Sequence, residues 1–343
     1  SRESVCAISM AVTTPAAATT PVCTLDTRLL LGCVGKPSAG KSSLLNACTD
    51  ANAKMGDYPF TTIEPNTGVA YYSLPCPCAR YCARSSEDAD SSAMLPLKRS
   101  YCSPRYGRCE GGVRQVPIKV LDVAGLVPGA SEGKGLGNKF LNDLRAADVL
   151  LHVIDVSGTT DEQGRKTEGY DPSRDVEWLR GEVTEWVFAN MWENWSNIVR
   201  RHVASRATAA VTLQRCWSGY GVRPALTQRI LTAAGVREPS GLATWTEDDV
   251  RHLLDTFMEI RFPTVLVLNK IDMAHAESNI AKLYKRYDEN SIVLSSALSE
   301  IFLRKMHKHQ FIHYRPGDDD FVTSDADFDE DPAAETDERR ALR

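Results

Sequence analysis

The chain has 343 residues, 43% of them hydrophobic and 25% charged, with a net charge of −5, which is enough apolar material for a full globular core in one large or two modest domains. No stretch approaches the roughly 18 to 20 uninterrupted apolar residues of a membrane span. Ten cysteines in a chain of this length are too sparse for the disulfide framework of a small secreted domain, so a cytoplasmic, reducing environment without membrane contact is expected.

Residues 1–27 are rich in Ala, Thr, Val and Pro. They contain neither a compact apolar run nor an Arg-rich amphipathic pattern, and read as a flexible extension without a targeting signal. Apolar runs bounded by turn residues then recur at 29–34, 116–121, 149–154, 264–268 and 291–294, separated by helix-compatible or loop segments. That alternation predicts an α/β fold in which helices cover a mostly parallel sheet. Two segments interrupt the rhythm and read as insertions: a cysteine-bearing one over 74–115 and a charged, tryptophan-bearing one over 161–261. The second holds Trp178, Trp186, Trp192 and Trp195 among charged residues, with Val183, Trp186, Val187, Asn190 and Met191 near helical spacing, so a helical pair or small helical subdomain packed by the tryptophans is expected. From 316 to 343 the chain is acidic, with eight carboxylates between Asp318 and Asp331 and no intervening Lys or Arg; a disordered tail is expected.

The chemistry is concentrated in short segments at the ends of the apolar runs. Gly35-Lys36-Pro37-Ser38-Ala39-Gly40-Lys41-Ser42 matches G-x-x-x-x-G-K-[ST] between a strand and a helix-compatible run opening at Ser43. The glycines let successive backbone N–H groups curl around phosphates and the helix terminus adds positive potential. Lys41 would bridge the β- and γ-phosphates, and the Ser42 hydroxyl would hold Mg²⁺. Thr61 and Thr62 lie where a switch threonine meets that ion when the γ-phosphate is present; Thr62 is taken as the ligand and Thr61 as its alternative. In Asp122-Val123-Ala124-Gly125 the carboxylate at a strand end can hold Mg²⁺ through water and the Gly125 N–H can meet the γ-phosphate; an Asp-capped turn is the competing reading.

Asn269-Lys270-Ile271-Asp272 follows another strand. Asp272 can accept both N–H groups on the Watson–Crick edge of guanine while Asn269 ties the segment to the phosphate loop, and adenine cannot supply that pair of donors. A carboxylate left buried and unpaired by the wrong base can discriminate by roughly 10⁴-fold, so GTP is the expected substrate. Ser296-Ala297-Leu298 stands where a last loop could offer the Ala297 N–H to guanine O6. These segments together predict a P-loop nucleotide hydrolase of the Ras-like G-domain type over 28–315.

The wording of these segments, with the glycine-rich run over 122–141, resembles the Obg-like translation-factor GTPases, and specifically the YchF-type branch, over roughly 29–314. The resemblance implies a G domain with a helical insertion, a second switch built on Gly129, Gly133, Gly135 and Gly137, and a role around the ribosome or RNA. Leu126 stands where a Ras-like enzyme would use a glutamine to orient the attacking water. Leucine cannot hydrogen-bond that water, so slow intrinsic hydrolysis is expected, with water placed by the switch backbone or a partner. Better-known YchF-like proteins carry an altered base motif and favour ATP, whereas Asp272 restores the guanine reader; a GTP-preferring branch is expected. Ser38 stands where many relatives have an asparagine linked to potassium stimulation, so a potassium requirement is not carried over, and the family's C-terminal TGS domain is not expected after Tyr314. An ATP-hydrolysing relative and a nucleotide-dependent scaffold with little hydrolysis remain the alternatives.

Cys76, Cys78, Cys82, Cys102 and Cys109 cluster in the first insertion. Four thiolates, taken as Cys76, Cys78, Cys102 and Cys109, could hold one Zn²⁺, although the spacing is not a paired C-x-x-C ribbon and unliganded thiols are the other reading. Arg200, Arg201, His202 and Arg206, with Lys282, Lys285, Arg286, Arg304, Lys305 and Lys308, could face RNA or be an ordinary solvated surface. His152 and His202 have neither metal spacing nor an acid partner and are read as structural or surface histidines, and the oligomeric state is left open.

Overall fold

The computed structural model describes residues 29–49, 67–79, 102–104, 106–110, 112–123, 125, 143–236, 241–318 and 320–323. Strand β1 (Leu30–Val34) leads through a tight loop into helix α1 (Lys41–Cys48), and β2 (Thr67–Pro75), β3 (Arg108–Glu110) and β4 (Val113–Asp122) follow. After β5 (Val149–Asp155) come five helices: α2 (Ser173–Trp192), α3 (Trp195–Ser205), α4 (Ala209–Trp217), α5 (Pro224–Ala233) and α6 (Glu247–Arg261). The chain then returns through β6 (Thr264–Asn269), α7 (Ala276–Arg286), β7 (Ile292–Ser295) and α8 (Ala297–Lys308), and closes on the short strands β8 (Ile312–His313) and β9 (Val322–Thr323).

The main sheet runs β2-β4-β1-β5-β6-β7. Strands β4, β1, β5, β6 and β7 are parallel, while β2 and β3 join β4 antiparallel. The apolar runs form the central strands because a parallel strand covered on both faces must be hydrophobic throughout. Period two then sorts their side chains. Leu31, Cys33, Leu151 and Val153 enter a core with Leu44 and Ala47 of α1 and Ala297 of α8. Val34 and Leu150 face the other way, into the largest core, which they share with Leu179, Val183, Leu213, Trp217, Leu253 and Phe257 of the helices between β5 and β6.

Local signals set the helix limits in that insertion. Thr246 and Asp249 form a reciprocal capping box at the start of α6, leaving few orphan N–H groups there, and Pro224 opens α5, where its missing N–H costs nothing. The tryptophans pack between these helices: Trp192 stacks on Phe188 at 5.6 Å and Trp195 at 6.2 Å, and Trp195 on Trp245 at 6.1 Å. At the end of α6 the buried Arg261 guanidinium donates to the carbonyls of Tyr220 (2.6 Å), Ala147 (2.9 Å) and Arg145 (3.0 Å), which fastens the insertion to the chain entering β5.

Three features differ from the sequence reading. β2 and β3 were not anticipated, and β2 and β4 reach into the two ends of the interval 74–115. Val322–Thr323, within the stretch expected to be a disordered tail, pairs with Ile312–His313; residues 324–343, like 1–28, lie outside the described residues. Among the described residues no helix is long and apolar enough to cross a membrane.

Candidate nucleotide-binding site

The phosphate loop joins β1 to α1 at the C-terminal edge of the sheet, where parallel sheets bind ligands. Its two glycines are sterically required. Gly35 has φ 147° and a Cβ there would lie 2.4 Å from the Val153 carbonyl oxygen, while Gly40 has φ 98° and a Cβ would lie 2.2 Å from Asn269 Nδ2. Ser38 also takes a positive φ, 64°. Ala39 is buried, Pro37 and Ser43 half-buried and Ser42 exposed. Lys41 Nζ folds across the loop and donates to the carbonyls of Lys36 (2.8 Å) and Gly35 (3.1 Å). Burial pulls its pKa below that of a free lysine, against the opposing pull of the Asp122 carboxylate.

Ser42 Oγ donates to Asp122 Oδ2 at 2.5 Å, so the hydroxyl and carboxylate expected at Mg²⁺ share one small region, a hard-oxygen pair that suits that ion. Gly125 lies against Lys41, with its prospective Cβ 3.3 Å from Nζ and 3.2 Å from Pro37. Thr61, Thr62, Leu126 and the glycines at 129, 133, 135 and 137 lie outside the described residues.

At the base side, Asn269 Nδ2 donates to the Ala39 carbonyl at 2.9 Å and Asn269 Oδ1 accepts the Ala297 N–H at 3.0 Å. One amide thus clamps the phosphate loop to the start of α8. Ser296 Oγ donates to Asp272 Oδ1 at 2.7 Å, orienting the carboxylate. Ala297, expected to offer its N–H to guanine O6, gives that hydrogen to Asn269 Oδ1 here. The adjoining helix start at Leu298 is highly exposed. Lys270 turns back and pairs with Asp155 at 2.6 Å.

Sequence reasoning missed two groups behind the loop. Lys36 was expected in the nucleotide shell, but its side chain is buried away from it: Nζ donates to the Thr160 carbonyl at 2.8 Å, pairs with Asp175 at 2.9 Å and lies 4.1 Å from the Tyr170 ring centroid. Tyr170 in turn donates to Asp175 at 2.8 Å, and burial raises the Asp175 pKa against the Lys36 charge. Asp155, fully buried, accepts from Lys270, Ser157 and Thr160; although burial opposes it, those hydrogen bonds hold the group below the ordinary carboxylate range. The signal available was an acidic residue closing an apolar strand. His152 is buried with Nε2 unpartnered among the described residues, and burial, reinforced by Lys41 and Lys36, pushes its pKa down to about 3.

The basic residues proposed for RNA divide. Arg200 and Arg201 are exposed on α3 and Arg206 at its C-cap, but His202 is buried against Thr212 at 2.8 Å. Arg286 pairs with Glu177 and Arg304 with Glu300.

A family model described as a 50S ribosome-binding GTPase matches residues 30–179, and one described as the G4 motif-containing domain of Obg-like, YGR210-like GTPases matches residues 267–342. An uncharacterized GTP-binding protein of Schizosaccharomyces pombe is 49% identical over 300 residues, covering 88% of this chain and 69% of that protein. The chain belongs to the Obg-like, YchF-type family of GTP-binding proteins. A solved GTP-binding protein from Pyrococcus horikoshii has the same architecture, with a TM-score of 0.61 and 26% identity over 83% of this chain and 70% of that one. The Haemophilus ducreyi protein named ribosome-binding ATPase YchF is 37% identical over 152 residues, 44% of this chain and 35% of that protein. For this YchF-type chain, the second model also covers the acidic stretch.

Proposed function

We propose that the chain binds GTP with Mg²⁺, hydrolyses it slowly to GDP and phosphate, and serves in the cytoplasm as a switch associated with the ribosome. The observation that carries the base assignment is the Asn269 clamp with Asp272 held beside it by Ser296. It leaves Asp272 Oδ2 and an oriented Oδ1 to accept the two donors of guanine, with the N-terminal end of α8 at Leu298 as the neighbouring donor for O6. The backbone N–H groups from Ser38 to Ser43 and the Lys41 ammonium cradle the phosphates, Lys41 exchanging the loop carbonyls for phosphate oxygens. Ser42, Thr62 and Asp122 hold Mg²⁺, which neutralises charge on the β- and γ-phosphates when bound. Leu126 leaves water orientation to backbone groups such as the Gly125 N–H, so turnover near that of Ras without its activator, on the order of 10⁻⁴ to 10⁻³ s⁻¹, is expected.

Calorimetry with non-hydrolysable GTP and ATP analogues and Mg²⁺ tests the base assignment. The wild type should prefer the GTP analogue, and Asp272→Asn should lose roughly 10²-fold or more of that affinity. ATP preference in the wild type would transfer the reading to an ATPase, the activity in the name of the Haemophilus relative. Binding without phosphate release would leave a nucleotide-dependent scaffold. The ribosome association is supported by the description of the matching family model; pelleting with large ribosomal subunits that is indifferent to nucleotide would sink the switch.

A further inference from the structure

We propose that Cys76, Cys78, Cys102 and Cys109 bind one Zn²⁺ in a closed tetrathiolate site that pins the outer end of the β2–β3–β4 ribbon. The four sulfurs come from three separate pieces of chain: the turn after β2, the segment leading to β3, and β3 itself. All lie within 4.8 Å of one another, with Cys76 and Cys102 Sγ 3.6 Å apart and Cys78 and Cys109 Sγ 3.5 Å apart. A Zn–S distance of about 2.3 Å in a regular tetrahedron requires sulfurs about 3.8 Å apart, so an ion fits between them with small adjustments. The fifth cysteine of the cluster, Cys82, lies outside the described residues.

The backbone is shaped to present these thiols. The Cys76 N–H donates to the Gly112 carbonyl at 2.7 Å, and the Ala79 N–H to the Cys76 carbonyl at 3.0 Å, closing the turn that carries Cys78. Gly107 has φ 71° and would place a Cβ 2.0 Å from the Gln115 carbonyl oxygen, so only glycine lets the chain turn there into Cys109. Cys76 and Cys109 are buried, yet among the described residues none of the three apolar clusters takes a side chain from 71–113. Among the described residues this end of the ribbon therefore has no hydrophobic cluster to fix it, which is where small folds use a metal.

The donor set selects the ion. Four soft thiolates with no open position suit structural zinc, and no ligand is left for a reacting water. Zn²⁺ displaces the four thiol protons to solvent and leaves a dianionic centre. Arg114 supplies compensating charge, its Nη2 lying 4.0 Å from Cys102 Sγ with Nε buried and unpartnered among the described residues, an outer-sphere donor of the kind that tunes metal thiolates. The site stands apart from the nucleotide reading. β4 carries Val113 at the cysteine end and Asp122 at the phosphate end, and nine steps of about 3.3 Å separate them by about 30 Å.

The full chain, purified without metal-chelating resin, should contain one zinc per chain by elemental analysis and native mass spectrometry. Zinc should be lost in the Cys78→Ser/Cys102→Ser variant and retained in Cys216→Ser, whose thiol lies in α4. Co²⁺ exchanged into the wild type should give the visible spectrum of a tetrahedral tetrathiolate. Binding of a GTP analogue by the double-serine variant reports that the G domain still folds; should that variant not fold, the cobalt spectrum of the wild type decides. Wild type that neither retains nor takes up zinc, carries iron instead, or shows paired disulfides by mass would overturn the proposal. Since metal content is read without nucleotide, failure here and failure of the GTP assignment are distinguishable.

Discussion

Asp175→Ala should strongly destabilise the protein, because it strands the buried ammonium of Lys36 behind the phosphate loop. Lys36 and Asp175 are 1% and 2% exposed and form an ion pair at 2.9 Å. Without the carboxylate the Lys36 ammonium keeps only the Thr160 carbonyl and the Tyr170 face, and an uncompensated buried charge of this kind costs about 3–5 kcal/mol. Removing both charges in Lys36→Met/Asp175→Leu should recover most of that loss, because the desolvation of both ions disappears with their attraction. Lys36→Met alone should be intermediate and pH-dependent. Burial favours the protonated form of Asp175, so the folded state of that variant holds a proton that the unfolded chain loses above about pH 4, and stability falls as the pH rises. All six tryptophans lie in the helical insertion, so urea unfolding followed by their fluorescence reports the insertion, and a fluorescent GTP analogue reports the loop. Both should shift in Asp175→Ala. A cost below about 1 kcal/mol, with unchanged nucleotide affinity, would refute the idea that this pair braces the phosphate loop on the insertion.

His152 is neutral in the fold while the unfolded chain takes up a proton near pH 6.5, so stability should fall as the pH drops below 6.5 toward about 3, by about 2 kcal/mol at pH 5; denaturant titrations of nucleotide-free His152→Val should show a flatter profile, and an unchanged slope would discard this assignment. Asn269→Ala strands the buried Ala39 carbonyl and Ala297 amide, which should cost about 2–5 kcal/mol in urea unfolding and weaken GTP and ATP analogues alike, unlike the base-selective Asp272→Asn. Arg261→Lys cannot serve three carbonyls in a fork and should cost about 2–4 kcal/mol; a loss under about 0.5 kcal/mol would show those contacts to be dispensable.

The central strands and the motifs at their ends were legible because a strand buried on both faces must be a continuous apolar run, and a phosphate loop must place glycines at fixed positions. β2 was not legible for the converse reason. Thr67–Pro75 is half-buried to exposed along its length, so water and β4 share its sides and no clean pattern survives. Lys36 misled the reading because its backbone does belong to the phosphate loop, its carbonyl accepting from Lys41, whereas its side chain answers to Asp175 on a helix far along the chain. The hydrogen bond from the Ala297 N–H to Asn269 was not legible either, because only the tertiary position of Asn269 brings that acceptor to the start of α8.

The two strand-ending carboxylates on either side of β1 show where a motif stops being sufficient. Asp122 closes β4 and Asp155 closes β5, so the same local pattern places both at the C-terminal edge of the sheet. Asp155 is enclosed, and a lysine, two hydroxyls and a backbone N–H fill its lone pairs, leaving nothing with which to hold an ion. Asp122 is half-buried, and among the described residues its carboxylate takes only the Ser42 hydroxyl. A carboxylate whose acceptors are already satisfied is scaffold, and one with acceptors to spare beside a phosphate loop can serve a cation. The difference lies in the donors that the fold brings to each group, and those donors come from Ser157, Thr160 and Lys270, residues with no part in the phosphate-loop pattern.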